Sequence, residues 1–391
     1  MKILVLSLLL ITILYGVLCS DSSSSGVVFC YYGNWANWRE GKGRFGVSDL
    51  PLDLCTHLIY SFIYPTSTGA LRFSKEITLK GKSSNVDDFI ALKKSNSDLK
   101  LLVAIGGWIE GSTHFTKIVN DDKLRATFVS NLVSYIEEKG FDGLDLDWEY
   151  PAQRGGVETD KVQFITLLKE LKEAFEPKGY LLTAAVAATQ THINLSYDVP
   201  SMNEYLDYIN LMTYDYYGSW DTTTGVVAPL YAQLTDPESL NYNVDNSVNI
   251  WISNGASPSK LVLGVPLYGR TFTLLDASSA DTAAKVIRAG TAGPYTGESG
   301  FYSYLEIIEA QNKDSSKWNI NEVTNNYVYG NNDKFWVGYD NENTAYAKGA
   351  YARKNGLGGI MFWTVDYEDF EGLYGTKFSL IKKAIEGYNS V

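Results

Sequence analysis

The sequence has little of what metal centres, fibrous folds and nucleic-acid surfaces require. It contains three histidines, His57, His114 and His192, which lie far apart and argue against a zinc enzyme. Ten prolines and 34 glycines in 391 residues are too few for a collagen-like chain. Lys and Arg number 33 against 45 Asp and Glu, a net charge of −12. Because phosphate backbones would repel such a chain, we expect no nucleic-acid partner.

The abundant residue types indicate a folded protein. Hydrophobic residues make up 45% of the chain and charged residues 20%, which excludes disorder or a coiled coil as the main state. Aromatic residues reach 14%, with 28 Tyr and 9 Trp. Rings in this number fill a core or line a sugar-binding cleft. The length allows one large domain or two to three ordinary ones.

One long uncharged run occurs, at the N-terminus. Lys2 is followed by sixteen uncharged residues, Ile3 to Leu18, and then by Cys19 and Ser20. This pattern is typical of a secretory signal, whereas a transmembrane anchor, the alternative, needs about 20 apolar residues. We therefore predict a signal peptide over 1–20 and a secreted mature chain over 21–391. That mature chain should be a monomer with no membrane segment.

Three cysteines are present, and the first belongs to the predicted signal. The other two, Cys30 and Cys55, each lie beside a predicted strand. In an oxidising compartment they are expected to form a disulfide, and two buried free thiols are the alternative. The tripeptide that begins at Asn194 is a candidate N-glycosylation sequon.

Short β-branched runs alternate with amphipathic helical stretches along the chain. Eight such runs predict a closed (β/α)8 TIM barrel with parallel strands. The last interval is far longer than the others and predicts an α+β insertion over 270–339, between strands seven and eight. The predicted strands are Val27–Tyr32, His57–Phe62, Lys100–Ile105, Gly143–Asp147, Leu181–Ala188, Tyr208–Thr213, Leu261–Pro266 and Gly359–Trp363. The predicted helices include Asp122–Lys139, Thr159–Phe175, Asn341–Lys354 and Phe378–Tyr388. Within the insertion we predict the helix Tyr302–Gln311 and the strands Tyr268–Leu275 and Lys334–Tyr339.

The fourth predicted strand carries a row of acids. Because alternate residues of a strand share a face, Asp145, Asp147 and Glu149 point the same way, about 7 Å apart. Carboxylates so placed raise at least one pKa, which suits a general acid. A solvated acidic edge and a Mg²⁺ or Ca²⁺ site are the alternatives, although one strand would have to supply all the metal ligands. We favour acid–base chemistry and expect no metal or cofactor.

The acidic run resembles a known signature. The segment Asp142-x-x-Asp145-x-Asp147-x-Glu149 is similar to the DxxDxDxE motif of family 18 glycoside hydrolases, the chitinases. The resemblance covers nearly the whole mature chain, except that Ala104 stands where the family has a serine that supports the acidic strand. The other matching segments are Phe29–Trp35, Cys55–Tyr60, Ala104–Trp108, Met212–Gly218, Gly264–Arg270 and Gly359–Trp363.

The resemblance implies a mechanism and a set of site residues. Glu149 would protonate the glycosidic oxygen, while the substrate's own N-acetyl group acts as the nucleophile. Asp147 would stabilise the resulting cation and exchange a proton with Asp145. Tyr214 and Asp215 would position the acetamide, and Trp363 would lie under the sugar at the cleavage site. The further substrate-binding residues implied are Tyr31, Gly107, Trp108, Tyr150, Met212, Tyr268 and Arg270.

Taken together, these features predict a secreted, retaining chitinase that cleaves β-1,4 links between N-acetylglucosamine units. Its expected substrate is chitin or chitin oligosaccharides, and attack within the chain is favoured. Two alternatives remain open. A lectin of the same fold would bind chitin without cutting it, but such proteins typically lose Glu149 or Asp147, and both are present. An endoglycosidase that releases N-glycans shares the acidic motif. The insertion favours a linear polymer, by analogy.

Overall fold

The computed structural model describes residues 26–73, 85–233 and 237–390. The predicted signal peptide lies outside these residues and stays a prediction. In chain order the strands are β1 (Val27–Gly33), β2 (His57–Pro65), β3 (Leu71–Phe73), β4 (Lys100–Gly106), β5 (Gly143–Asp147), β6 (Leu181–Ala187), β7 (Tyr208–Met212), β8 (Leu261–Pro266), β9 (Tyr268–Leu274), β10 (Val286–Ala289), β11 (Phe301–Ser303), β12 (Asn319–Val323), β13 (Tyr327–Asn332), β14 (Phe335–Tyr339) and β15 (Gly359–Trp363).

Helices separate most of these strands. They are α1 (Val86–Ala91), α2 (Thr113–Val119), α3 (Asp122–Lys139), α4 (Asp160–Phe175), α5 (Gln190–Ser196), α6 (Val199–Tyr205), α7 (Val244–Ser253), α8 (Tyr304–Lys313), α9 (Glu342–Lys354) and α10 (Ser379–Asn389). Local signals fix their ends, as in α3, where the Asp121 side chain accepts hydrogen bonds from two backbone N–H groups and Gly140 ends the helix in the left-handed region. Within the described residues, no helix is long and apolar enough to cross a membrane.

Eight of the strands form a closed parallel barrel, which confirms the predicted fold. The order is β1-β15-β8-β7-β6-β5-β4-β2, and β1 also pairs with β2, so the sheet has no free edge. The short strand β3 adds an antiparallel hairpin to β2. In this architecture the loops at the carboxyl ends of the strands converge on one face, where active sites lie.

The insertion lies between β8 and β15, as predicted. It is a second sheet in the order β10-β9-β14-β13-β12, with β11 also paired to β9 and the helix α8 following β11. The helix was predicted to begin at Tyr302, but it begins two residues later, because Tyr302 pairs with Gly269 in the antiparallel ladder. The insertion thereby extends the wall of the barrel mouth beside the end of β8.

The barrel strands are apolar on both faces, since one face meets the helices and the other fills the barrel. On β1 and β2, for example, Cys30 and Leu58 pack outward into the main core, whereas Phe29, Tyr31 and Ile59 fill the interior. Parallel sheets covered on both sides have this near-continuous apolar pattern. A buried acid inside such a barrel therefore needs partners within it.

A disulfide joins Cys30 on β1 to Cys55, ahead of β2, as predicted. Replacing both cysteines by alanine is expected to lower the free energy of unfolding by about 2–4 kcal/mol, since the bond closes a loop with a sequence separation of 25. Denaturant unfolding of the two proteins measures the difference. Two alkylatable thiols in the unreduced, unfolded protein would contradict the pairing.

Candidate active site

Strand β5 carries Asp145 and Asp147, and Glu149 follows two residues after the strand ends. Asp145, Asp147 and Glu149 are all buried, with 0%, 3% and 8% of their surfaces exposed. Trp148 points the opposite way into the core, where it stacks on Phe115 at 5.1 Å between ring centroids. The apolar packing of one face thus fixes the acids on the other, at the open end of the barrel.

Asp145 is the innermost acid and is fully hydrogen-bonded. It accepts hydrogen bonds from the hydroxyls of Tyr31 (2.8 Å) and Thr183 (2.5 Å) and from the Asn210 amide (3.1 Å). Burial raises its pKa to about 6, and these three bonds oppose the rise. Ala104 lies beside Asp145 in the register of β4 and β5, and Thr183 lies on its other side. Position 104 therefore offers Asp145 no hydroxyl, whereas Thr183 on β6 does.

Asp147 is buried but incompletely paired. Burial, together with the charges of Glu149 and Asp145, holds its pKa well above the ordinary range. Its Oδ1 atom has no hydrogen-bond partner among the described residues. A buried carboxylate oxygen without a donor is costly, so this atom is suited to accept a hydrogen bond from a bound molecule.

Glu149 follows β5 and lies at the mouth of the barrel. Burial raises the pKa of its carboxyl, while a hydrogen bond with Tyr150 and the charge of Arg154 lower it in part. The guanidinium of Arg154 also donates to the backbone carbonyl of Glu149, at 2.9 Å. A glutamic acid that keeps its proton above the usual pH range can act as a general acid.

A second polar group faces the acids from β7 and the insertion. Asp215 has a left-handed backbone, with a φ of 58°, and its carboxylate accepts two hydrogen bonds of 2.7 Å from Arg270 at the start of the insertion. This bidentate ion pair fixes the orientation of the Asp215 carboxylate. The rings of Tyr214 and Tyr268 lie alongside, 6.1 Å apart between centroids. The structure thus brings together four of the predicted substrate-binding residues.

Aromatic rings form the bottom of the cleft. Trp363, half-buried at the end of β15, lies 5.3 Å from Tyr31, 6.2 Å from Trp35 and 5.7 Å from Phe62, all measured between ring centroids. Met212 belongs to the same interior cluster. Such a surface suits the apolar face of a sugar ring.

The end of β4 builds one wall of the cleft. Gly107 has a φ of 85°, and a side chain there would come within 2.7 Å of the Phe62 ring, so only glycine fits. Next to it, Trp108 is 59% exposed, with the Arg154 guanidinium 3.5 Å from its ring centroid. Trp220 is 58% exposed, with the Arg270 guanidinium 5.1 Å from its ring centroid. Each exposed tryptophan therefore contacts an arginine that is bonded within the site, Arg154 to the Glu149 carbonyl and Arg270 to Asp215.

Sequence reasoning missed three residues that the structure places at this site. Thr183 and Asn210 complete the surroundings of Asp145, and Arg154 links Glu149 to Trp108. The position of Thr183 directly opposite Asp145 could have been found only from the register of the two strands. Among the described residues, no group of three or more His, Cys, Asp or Glu is arranged to hold a metal ion.

Comparison with known proteins identifies the family. The family model for glycosyl hydrolases family 18 matches residues 27–368. The endochitinase of Manduca sexta is 37% identical over 93% of this chain and 67% of its own length. The Group IV chitinase of Ostrinia furnacalis, solved with allosamidin, superposes with a TM-score of 0.89 at 42% identity, over 93% of this chain and 99% of that chain.

A further structural relative is described as a pseudo-chitinase. Human YKL-39, with retained chitooligosaccharide binding, has a TM-score of 0.84 at 31% identity and covers 94% of this chain and all of its own. The family model, the relatives and the barrel agree. The chain therefore belongs to the glycosyl hydrolases of family 18 and is a glycosidase.

Proposed function

We propose that this glycosidase is a secreted chitinase that hydrolyses β-1,4 linkages between N-acetylglucosamine units, with Glu149 as the proton donor. The observation that carries the proposal is the buried row of Asp145, Asp147 and Glu149 at the mouth of an aromatic cleft. The substrate is chitin or its oligosaccharides, and the name of the Manduca relative, an endochitinase, favours attack within the chain.

In the first step, Glu149 gives its proton to the glycosidic oxygen, and the bond to the anomeric carbon breaks. The carbonyl oxygen of the substrate's own acetamide forms the new bond to that carbon, which yields an oxazolinium ion. In the second step, water attacks the anomeric carbon, the bond from that carbon to the acetamide oxygen breaks, and the water gives a proton to the Glu149 carboxylate, which restores the acid. Burial supports both roles, because it keeps the carboxyl protonated at the start of the cycle.

Asp147 stabilises the intermediate. Its unpaired Oδ1 accepts a hydrogen bond from the acetamide N–H, which aligns the carbonyl for attack, and its charge balances the oxazolinium ion. Asp145 shares a proton with Asp147, whose pKa is raised by burial and further by the charges of Glu149 and Asp145. Tyr31 and Thr183 hold Asp145 in place for this exchange.

The remaining predicted residues bind and orient the sugar. Tyr214 and Asp215 hold the acetamide, and the two hydrogen bonds from Arg270 fix the Asp215 carboxylate. Trp363 lies under the sugar whose glycosidic bond is cleaved. The other contacts proposed to substrate come from Tyr31, Gly107, Trp108, Tyr150, Met212 and Tyr268.

The compartment and domain limits belong to the same proposal. A signal peptide over 1–20 directs the mature chain, 21–391, to the outside, and the insertion over 270–339 is part of that catalytic chain. The disulfide between Cys30 and Cys55 supports this assignment, because such bonds persist in oxidising compartments. The mature protein acts as a monomer.

Product stereochemistry tests the mechanism. If the acetamide is the nucleophile, two inversions occur and the first product is the β-anomer. NMR of the earliest product from a soluble chitin oligosaccharide measures this, and an initial α-anomer would exclude the mechanism. An oligosaccharide without acetyl groups at the cleavage site should not be cut. An N-glycoprotein assayed in parallel distinguishes a chitinase from an endoglycosidase.

A further inference from the structure

Arg154 makes two contacts that no other described residue combines. Its guanidinium lies against the ring of Trp108, 3.5 Å from the centroid, and the same group donates a hydrogen bond to the backbone carbonyl of Glu149. The first contact reaches an exposed ring on the cleft wall. The second reaches the residue that carries the proposed acid. Arg154 therefore bridges the loop after β4 and the loop after β5.

The contact with Trp108 leaves that ring one free face. Trp108 is 59% exposed although a guanidinium covers it from one side, so the opposite face is open to solvent. A planar guanidinium stacks on an indole better than any other side chain with a positive charge. The open face of such a ring is shaped to receive the apolar side of a sugar.

The backbone at Arg154 is held in an unfavourable conformation. Its φ is 51°, in the left-handed region, where a residue with a Cβ atom is disfavoured and Asn or Gly is preferred. The loop is anchored by the fully buried carboxylate of Asp160, which accepts hydrogen bonds from the backbone N–H groups of Ala152 and Val157. The anchored loop thus presents an arginine where asparagine would fit with less strain.

We propose that Arg154 is a positioning residue: it holds Trp108 as a one-sided platform for an N-acetylglucosamine unit and fixes that platform relative to Glu149. This inference rests on the proposed function and adds a residue to it. A sugar stacked on Trp108 then lies at a fixed distance from Glu149, because the Arg154 side chain contacts both the Trp108 ring and the Glu149 backbone carbonyl. The platform contact governs binding, and the contact with Glu149 governs turnover.

Two substitutions separate these effects. Arg154→Lys keeps the charge and a donor for the Glu149 carbonyl but loses the planar stack, so KM for a soluble chitin oligosaccharide should rise roughly three- to ten-fold while kcat stays within about two-fold. Arg154→Asn loses both contacts, so KM should rise and kcat should fall. Because asparagine tolerates the left-handed backbone, Arg154→Asn should keep the melting temperature of the unmodified protein, and lost activity then reflects lost positioning.

Two controls complete the experiment. Arg353→Lys makes the same change in an arginine that lies over the Tyr388 ring at 5.6 Å, at the opposite end of the barrel, and should leave KM and kcat unchanged. In a Trp108→Ala background, Arg154→Lys should cause no further rise in KM. An equal rise in both backgrounds, or Arg154→Asn kinetics equal to those of the unmodified protein, would overturn the inference.

An inactive unmodified protein would contradict the proposed function and not this inference. In that case the dissociation constant of the oligosaccharide replaces KM in the same comparison. A rise with Arg154→Lys that disappears in the Trp108→Ala background would support the platform, and an unchanged dissociation constant would overturn it.

Discussion

Glu149→Gln is expected to lower turnover of chitin oligosaccharides by about 10²–10⁴-fold, the usual contribution of general acid catalysis. The amide keeps the size of the side chain but cannot deliver a proton. Affinity should stay within a few-fold, because Trp363 and Asp215 are untouched. Turnover is measured on a soluble oligosaccharide and affinity by calorimetry with the same ligand. Near-normal turnover in the variant would show that Glu149 is not the acid.

The same substitution should stabilise the protein at neutral pH. Burial raises the pKa of the Glu149 carboxyl in the folded state above its unfolded value of about 4.3. The folded state therefore binds the proton more tightly, and stability falls as the pH rises from about 4 through the raised pKa. Glutamine carries no charge to bury. The melting temperature of Glu149→Gln should exceed that of the unmodified protein at pH 7, and the difference should vanish near pH 4.

A matched control is available in Glu368. This carboxylate is fully buried, and burial raises its pKa to about 7, but it accepts hydrogen bonds from the backbone N–H groups of Leu380 and Ile381 at the start of α10. Glu368→Gln should therefore leave kcat per folded molecule unchanged. If both variants lost turnover equally, the cause would be a general disturbance of buried carboxylates and not the loss of an acid.

The barrel could be predicted because each of its strands is a short apolar run. The bounds of β5, β8 and β15 agree with the prediction at both ends, since these strands are buried along most of their length. The insertion was predicted less completely. Its strands β10 to β13 were missed, and β12 shows why: every residue from Asn319 to Val323 is exposed, so it has no apolar alternation to detect.

The acids of the site could be predicted because they alternate along one short segment, β5 and the two residues after it, whereas their partners could not. Thr183 and Asn210 meet Asp145 from 38 and 65 residues away, and nothing local in the sequence marks that contact. The cis peptide bond between Glu149 and Tyr150 likewise joins two residues other than proline, so nothing in the sequence marks it. Alternation identifies a face, but the register between strands determines which residues meet across it.

Asp147→Asn should lower turnover by about 10²–10³-fold, the cost of removing one charge-stabilising group from a transition state. The asparagine oxygen can still accept the acetamide N–H, so affinity should change little. A neutral amide cannot balance the oxazolinium ion, so the loss should appear in kcat. Burial is the main cause of the raised pKa of Glu149, so the alkaline limb of the rate profile should remain above the pH at which an ordinary glutamate ionises.

Asp145→Asn separates this charge effect from a packing effect. Asp145 accepts hydrogen bonds from Tyr31, Thr183 and Asn210, so an amide N–H in its place would face donors and lower the melting temperature. Asp147 has an unpaired oxygen and a carboxyl whose pKa burial raises, so Asp147→Asn should raise the melting temperature at pH 7. A stable Asp147→Asn protein with undiminished kcat would contradict the substrate-assisted mechanism, because the cation would then need no carboxylate beside it.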